Sequence, residues 1–148
     1  MVVGPEGSGK TTLLEQIEPH LAERGWRVRR LQLRPGEIEA ARWRPFLDEL
    51  ETGDLLLLDG LDHLAPVERL QLLRRSGRAG GLIATSHRPE RFLPTLLDCR
   101  TTPELLEAIA RDLGGSEADG LPFAELHRRH AGNIRTALRE LYDLWAGR

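Results

Sequence analysis

Eight residues near the N-terminus, Gly4-Pro5-Glu6-Gly7-Ser8-Gly9-Lys10-Thr11, read G-x-x-x-x-G-K-T without a mismatch. Glycines in that pattern let successive backbone N–H groups turn inward onto one anion at the start of a helix, whose dipole adds to the attraction. Lys10 is the sole lysine in a chain whose lysines and arginines total 21. Lysine stands where a compact ammonium on a flexible stem reaches the β and γ oxygens of a bound triphosphate, and where a planar guanidinium would not fit. Thr11 offers a hydroxyl to the Mg²⁺ that travels with such a triphosphate, and Thr12 follows it as the last residue of the candidate phosphate-binding set.

A second candidate is Asp59, which ends the run Asp54-Leu55-Leu56-Leu57-Leu58-Asp59 between Gly53 and Gly60. Continuous leucines between glycines fit a central parallel strand covered on both faces. Ligands in such sheets bind in the crevice beyond the strands' carboxyl ends, so a carboxylate there faces the phosphates, where it holds Mg²⁺ through its water shell. The elements around these two motifs alternate. Met1 to Val3 reads as the end of a buried strand, and Thr11 to Arg24 as an amphipathic helix kinked or divided at Pro19. Arg27 to Leu33 reads as a strand exposed on one face, Pro35-Gly36 as a turn, and Glu37 to Leu50 as a helix with a break at Pro45. Pro66 to Arg75 is expected to be helical, Gly81 to Thr85 a buried strand, Arg91 to Leu97 helical, and Asp98 to Arg100 a short strand. From there the pattern is helical only, over Pro103 to Leu113, Leu121 to Ala131 and Asn133 to Trp145. Strands alternating with helices predict a parallel sheet with right-handed crossovers, followed by a small helical lid.

The two motifs lie some fifty residues apart with a strand between them, a spacing that resembles the additional-strand class of P-loop NTPases. Leu55 to Leu64 reads L-L-L-L-D-G-L-D-H-L, which resembles the extended Walker B segment of NACHT-type and other STAND ATPases within the AAA+ group. Asp59 matches the magnesium acid, Gly60 the small residue and Asp62 the first of two later acids. His63 replaces the second of those acids, and Gly60 stands where a water-polarising glutamate is usual, so the water-orienting role passes to Asp62. Leu82-Ile83-Ala84-Thr85-Ser86-His87-Arg88-Pro89 is similar to the sensor-1 strand of the same superfamily, with His87 inserted before Arg88. Thr85 or Ser86 is the candidate for the attacking water or γ-phosphate, with Ser86 preferred, and His87 or Arg88 for reporting its charge.

Gly132-Asn133-Ile134-Arg135 resembles a sensor-2 motif: Asn133 is expected to cap a helix, placing Arg135 in its first turn to sense the γ-phosphate, with Ala137, Leu138, Leu141 and Leu144 facing a core. The resemblance implies a three-layer α/β P-loop NTPase with five parallel strands in the order 5-1-4-3-2, an αβα core over residues 1–102 and a helical lid over 103–148. It also implies ATP and Mg²⁺ as ligands and slow hydrolysis to ADP and phosphate coupled to lid movement. A nucleotide-gated switch with little turnover is the alternative. Adenine is favoured over guanine because no N-K-x-D segment is present. The resemblance places an adenine-wrapping segment ahead of the first strand, and that segment is expected to be missing from this sequence. Arg91 and Arg100 are its best-placed candidates for an arginine finger.

Composition bounds the rest. A chain of 148 residues accommodates one domain with a sizeable core. The net charge of −2 gives no reason to expect a polyanionic partner, and the cluster Arg27, Arg29, Arg30, Arg34 reads first as a solvated or ion-paired face. One cysteine, Cys99, excludes an internal disulfide and fits a reducing cytoplasm. No apolar run approaches the roughly 20 residues of a membrane span, and no signal-like N-terminus is evident. Trp26, Trp43 and Trp145 read as packing residues, without a patterned aromatic platform for bases. The expected partners are ATP or ADP and a second protein or another copy of the chain, with nucleic acid a less favoured alternative and no membrane.

Overall fold

Leu55-Leu56-Leu57-Leu58 forms the middle of strand β3 (Asp54–Asp59), every residue of which is buried. Its alternating side chains serve two cores. Leu55 and Leu57 pack with Leu14, Ile17 and Leu21 from helix α1 (Lys10–Glu23). Leu56 and Leu58 pack with Trp43 and Leu47 from α2 (Ala40–Asp48) and Leu72 from α3 (Pro66–Ser76). Burying one such leucine contributes about 1.5–3 kcal/mol, so this strand anchors the sheet from both faces. The structure, a computed structural model, describes residues 1–34 and 40–146. The expected Pro35-Gly36 turn and the start of the second helix lie outside the described residues.

The remaining strands are β1 (Val2–Val3), β2 (Arg27–Gln32), β4 (Gly81–Ser86) and β5 (Leu97–Asp98). All pair in parallel, in the order β2-β3-β4-β1-β5, which read from the other edge is 5-1-4-3-2. With helices on both faces, this is the three-layer α/β architecture expected. Parallel register brings the strands' carboxyl ends to one edge: Gln32 lies opposite Asp59, and Val3 opposite Ser86.

Three local expectations are corrected. Arg91 to Leu97 is not helical: Glu90 and Leu93 form an isolated antiparallel bridge, and the chain then runs extended beside β1. Pro94 interrupts that stretch and disfavours helix at the residue before it. The Met1 amino group donates to the Pro94 carbonyl at 2.6 Å, and the Leu96 N–H donates to the Met1 carbonyl at 2.7 Å. The final strand accordingly begins at Leu97, because its register pairs Val2 with Leu97 and Val3 with Asp98. Helices α1 and α2 both run on through Pro19 and Pro45 rather than dividing. In α1 both Pro19 and Glu15 are exposed, so the carbonyl that loses its donor can turn to water.

The chain divides into two compact units. One comprises Met1–Val3 and Lys10–Asp98, the sheet and its helices; the other comprises Gly4–Gly9 and Cys99–Arg148. In the second, α4 (Pro103–Gly114), α5 (Phe123–Arg129) and α6 (Ile134–Ala146) enclose Leu106, Ala110, Phe123, Leu126, Ile134, Ala137 and Leu141. Helix α4 starts as its sequence demands, with Thr102 Oγ1 accepting the Leu105 N–H at 3.2 Å and Pro103 at the first helical position. Leu144 is corrected from core to surface: it is 51% exposed, and one helical turn beyond Leu141 the seam is continued by Trp145.

Candidate functional site

In the sheet unit the site is built around Asp59, at the carboxyl tip of β3 and only 7% exposed. Its Oδ2 accepts the hydroxyl of Thr11 at 2.9 Å, which brings together the two candidate magnesium residues 48 positions apart. Gln32 at the tip of β2 donates weakly to the same oxygen at 3.5 Å. The other oxygen, Oδ1, accepts from Thr85 Oγ1 at 2.6 Å, and Thr85 in turn accepts the Gly60 N–H at 2.9 Å. The Thr85 hydroxyl, one of the candidates for contacting water or phosphate, is thus committed to orienting Asp59. Lys10 and Thr11 open helix α1, and Thr12 lies exposed just after them.

Gly60 explains why no glutamate follows Asp59. Its φ of 87° is left-handed, and a Cβ there would lie 2.6 Å from the His63 ring and 2.8 Å from the Leu33 carbonyl oxygen. The turn it begins (Leu61–His63) presents Asp62. His87, just beyond β4, meets Asp62 through a hydrogen bond between Nδ1 and Oδ2. Burial pushes the Asp62 carboxyl up, but the His87 hydrogen bond, the backbone N–H and the charges of His87 and His63 outweigh it and leave the group below its ordinary range. An ionised carboxylate only accepts, so His87 Nδ1 carries the proton. The His63 and His87 rings stand edge to face with centroids 6.2 Å apart. Arg69 braces the turn, donating to the Leu64 carbonyl at 3.0 Å and pairing with Glu90. Ser86 is fully buried at the tip of β4, where its Oγ accepts the exposed Arg88's N–H at 3.3 Å.

In the second unit, Gly7 has φ 74° and Gly9 φ 83°. A Cβ on Gly7 would fall 2.0 Å from Asn133 Oδ1, and one on Gly4 would fall 2.5 Å from the Cys99 carbonyl oxygen. The loop backbone is therefore packed where only glycine fits. Ser8 Oγ is buried without a hydrogen-bond partner among the described residues, while Pro5 and Glu6 are exposed. Asn133 caps α6 as expected, its Oδ1 accepting the Thr136 N–H at 3.1 Å, and Arg135 is exposed in the first turn. Thr101 donates to the Gly132 carbonyl at 2.7 Å, holding the turn that precedes the cap.

Gln32 and the Asp62–His87 pair went unnoticed at the sequence level. The available signal for Gln32 was its position at the end of the strand neighbouring β3; for the pair it was only the polarity of two adjacent strand ends. Three arginines of the cluster are answered by acids, Arg27 by Glu51 and Asp54, Arg29 by Glu49 and Arg30 by Glu15, while Arg34 donates to Gln32 Oε1 at 3.3 Å. Arg91 and Arg100 are both exposed. Among the described residues no helix is long and apolar enough to cross a membrane.

No protein-family model and no curated protein matches the chain. Among solved structures it is similar to a signal transduction ATPase with numerous domains (STAND) bearing a tetratricopeptide repeat sensor, from Pyrococcus horikoshii. The TM-score is 0.50 at 16% identity, over 92% of this chain and 26% of that one, so this chain spans about a quarter of that protein's length. At this identity the likeness speaks for the fold alone. Together with the all-parallel five-stranded order, it shows a parallel α/β fold consistent with that of P-loop NTPases.

Proposed function

We propose that the chain binds Mg·ATP and hydrolyses it to ADP and phosphate, residues 1–102 forming the nucleotide-binding core and 103–148 a helical lid that responds to nucleotide state. The observation that carries this reading is the 2.9 Å hydrogen bond from Thr11 to Asp59. A hydroxyl from the helix that follows a glycine loop, beside a carboxylate at a central strand tip, is the sparse oxygen set Mg²⁺ uses while keeping most of its waters. Thr11 and Asp59 would hold that ion, which when bound neutralises phosphate charge. Lys10 and the N–H groups of Gly4, Pro5-Glu6, Gly7, Ser8 and Gly9 would cradle the phosphates (proline contributing shape but no donor), with Thr12 next to them. Ser8 Oγ, buried and without a hydrogen-bond partner among the described residues, supports a polar guest there. Asp62 takes the water-orienting role, and Ser86 and Arg135 sense the γ-phosphate. A second protein or another copy of the chain would read the lid.

Calorimetry with Mg·ATP tests this. Lys10→Ala removes a charge-assisted contact of about 1.5–3 kcal/mol, which weakens binding about 10- to 100-fold, and Asp59→Asn abolishes the benefit of added magnesium. No heat of binding from folded wild-type protein at millimolar ATP and magnesium overturns the proposal. A second reading, a switch that binds ATP with little turnover, is favoured by one feature: the Gly60 turn leaves no space for an acid directly after Asp59.

A further inference from the structure

We propose that His87 is the proton acceptor for the attacking water, with Asp62 as its positioning residue. This deepens the ATPase reading and rests on it. The geometry begins with adjacency in the sheet. β3 and β4 are neighbours, Leu58 lies opposite Ala84, and the Thr85–Asp59 and Gly60–Thr85 hydrogen bonds extend that alignment past the strand ends. Asp62 and His87 therefore emerge from the same sheet edge as the candidate magnesium acid, and they meet there directly.

The pairing decides the division of labour. Asp62 uses Oδ2 to hold His87 Nδ1–H, so that in the neutral form of the ring Nε2 is the nitrogen that carries the lone pair. A carboxylate held ionised by its partner is a weak proton acceptor, whereas imidazole is the side chain best matched to accepting a proton near neutrality. The side chains of His87 and Asp62 remain 39% and 22% exposed, so water reaches both. Other groups face the pair or brace it: His63 stands across from the His87 ring, Arg69 donates to the Leu64 carbonyl, and Glu90 pairs with Arg69. Arg69 thereby ties the turn carrying Asp62 to the segment just after His87.

The step balances simply. The water oxygen bonds to the γ-phosphorus as the bond from that phosphorus to the β–γ bridging oxygen breaks, and the bridging electron pair leaves with ADP. The water proton passes to His87 Nε2, whose imidazolium is stabilised by Asp62 and later releases the proton to solvent. The site thus replaces the carboxylate that the Gly60 turn excludes with a histidine delivered from the neighbouring strand.

The test compares wild type with His87→Gln and Asp62→Asn, measuring ATP affinity, kcat from pH 5 to 8.5, and the ring-nitrogen NMR spectrum of His87 without nucleotide. The expected outcome is a rate rising with pH in the wild type, and about a 100-fold or larger fall in kcat for His87→Gln, with the pH dependence lost and ATP affinity within about threefold. The NMR spectrum is expected to show the proton on Nδ1 in the wild type and a loss of that preference in Asp62→Asn. A protein that binds no ATP overturns the ATPase reading itself. A protein that binds ATP but does not turn it over, or turns it over equally well in His87→Gln, overturns this inference while nucleotide binding stands.

Discussion

Replacing Thr85 by valine removes one hydroxyl and almost nothing else, and its position makes the cost calculable. Thr85 is 1% exposed, and its Oγ1 bridges Asp59 Oδ1 at 2.6 Å and the Gly60 N–H at 2.9 Å. Valine leaves the Gly60 N–H without its acceptor, a loss of about 1–3 kcal/mol, and strips a charge-assisted bond of about 1.5–3 kcal/mol from Asp59. Asp59 keeps Thr11 and Gln32, so the second loss falls at the low end of its range. The added methyl offsets less than about 1 kcal/mol. The net expectation is a destabilisation of about 1.5–4.5 kcal/mol, which for a chain of this length lowers Tm by about 5–15 °C. Urea denaturation and thermal melts of Thr85→Val and Thr85→Ser provide the assay, serine restoring the hydroxyl and most of the stability. If valine lies within about 0.5 kcal/mol of wild type, or serine is no better than valine, Thr85 does not hold Asp59 in the manner described.

Two further predictions address the loop and the far end of the central strand. Gly7→Ala adds a Cβ 2.0 Å from Asn133 Oδ1 at a φ of 74°; left-handed strain of about 1–2 kcal/mol plus displacement of a helix cap worth about 1 kcal/mol is expected, seen as a lower melting temperature and weaker ATP binding by calorimetry. Asp54, fully buried, accepts from Arg27 and from the Glu51 N–H at 2.8 Å. The Arg27 hydrogen bond, ahead of opposing burial and then the Glu51 N–H and nearby arginine charge, lowers its pKa. A depressed folded pKa contributes stability that is fully present above the unfolded value near pH 3.9 and is lost as pH falls through the folded one. Denaturation curves from pH 6 down to 2 are therefore expected to lose stability below about pH 4, and Asp54→Asn to flatten that acid limb.

What was legible in the sequence follows from how locally each feature is encoded. The leucine run of β3 announced a strand buried on both faces because continuous apolar residues suit no half-exposed element, and Asp59 marked its tip. Asn133 was readable as a cap because a cap needs only its own following turn. Arg91 to Leu97 was misread because its apolar spacing mimics a helix, while the decisive partner of Pro94 and Leu96 is Met1, at the other end of the sheet unit's sequence. The partners of Gln32 and His87 were out of reach for the same reason: their hydrogen bonds join different segments of the sheet edge, and only register reveals which polar ends are neighbours.

Gly60 connects these two kinds of information. Read along the chain, it is a departure from the expected acid pattern. In three dimensions it is the residue the turn requires, since any side chain there meets His63 and the Leu33 carbonyl. A turn of that shape carries Asp62 beside His87, so the feature that excludes one carboxylate also assembles a carboxylate–imidazole pair. The two cannot be varied independently. Gly60→Glu would supply the absent carboxylate only by breaking the turn that presents Asp62, so the variant is expected to lose turnover rather than gain it. A rate above wild type in Gly60→Glu would mean that turnover depends on an acid adjacent to Asp59 and not on the Asp62–His87 pair.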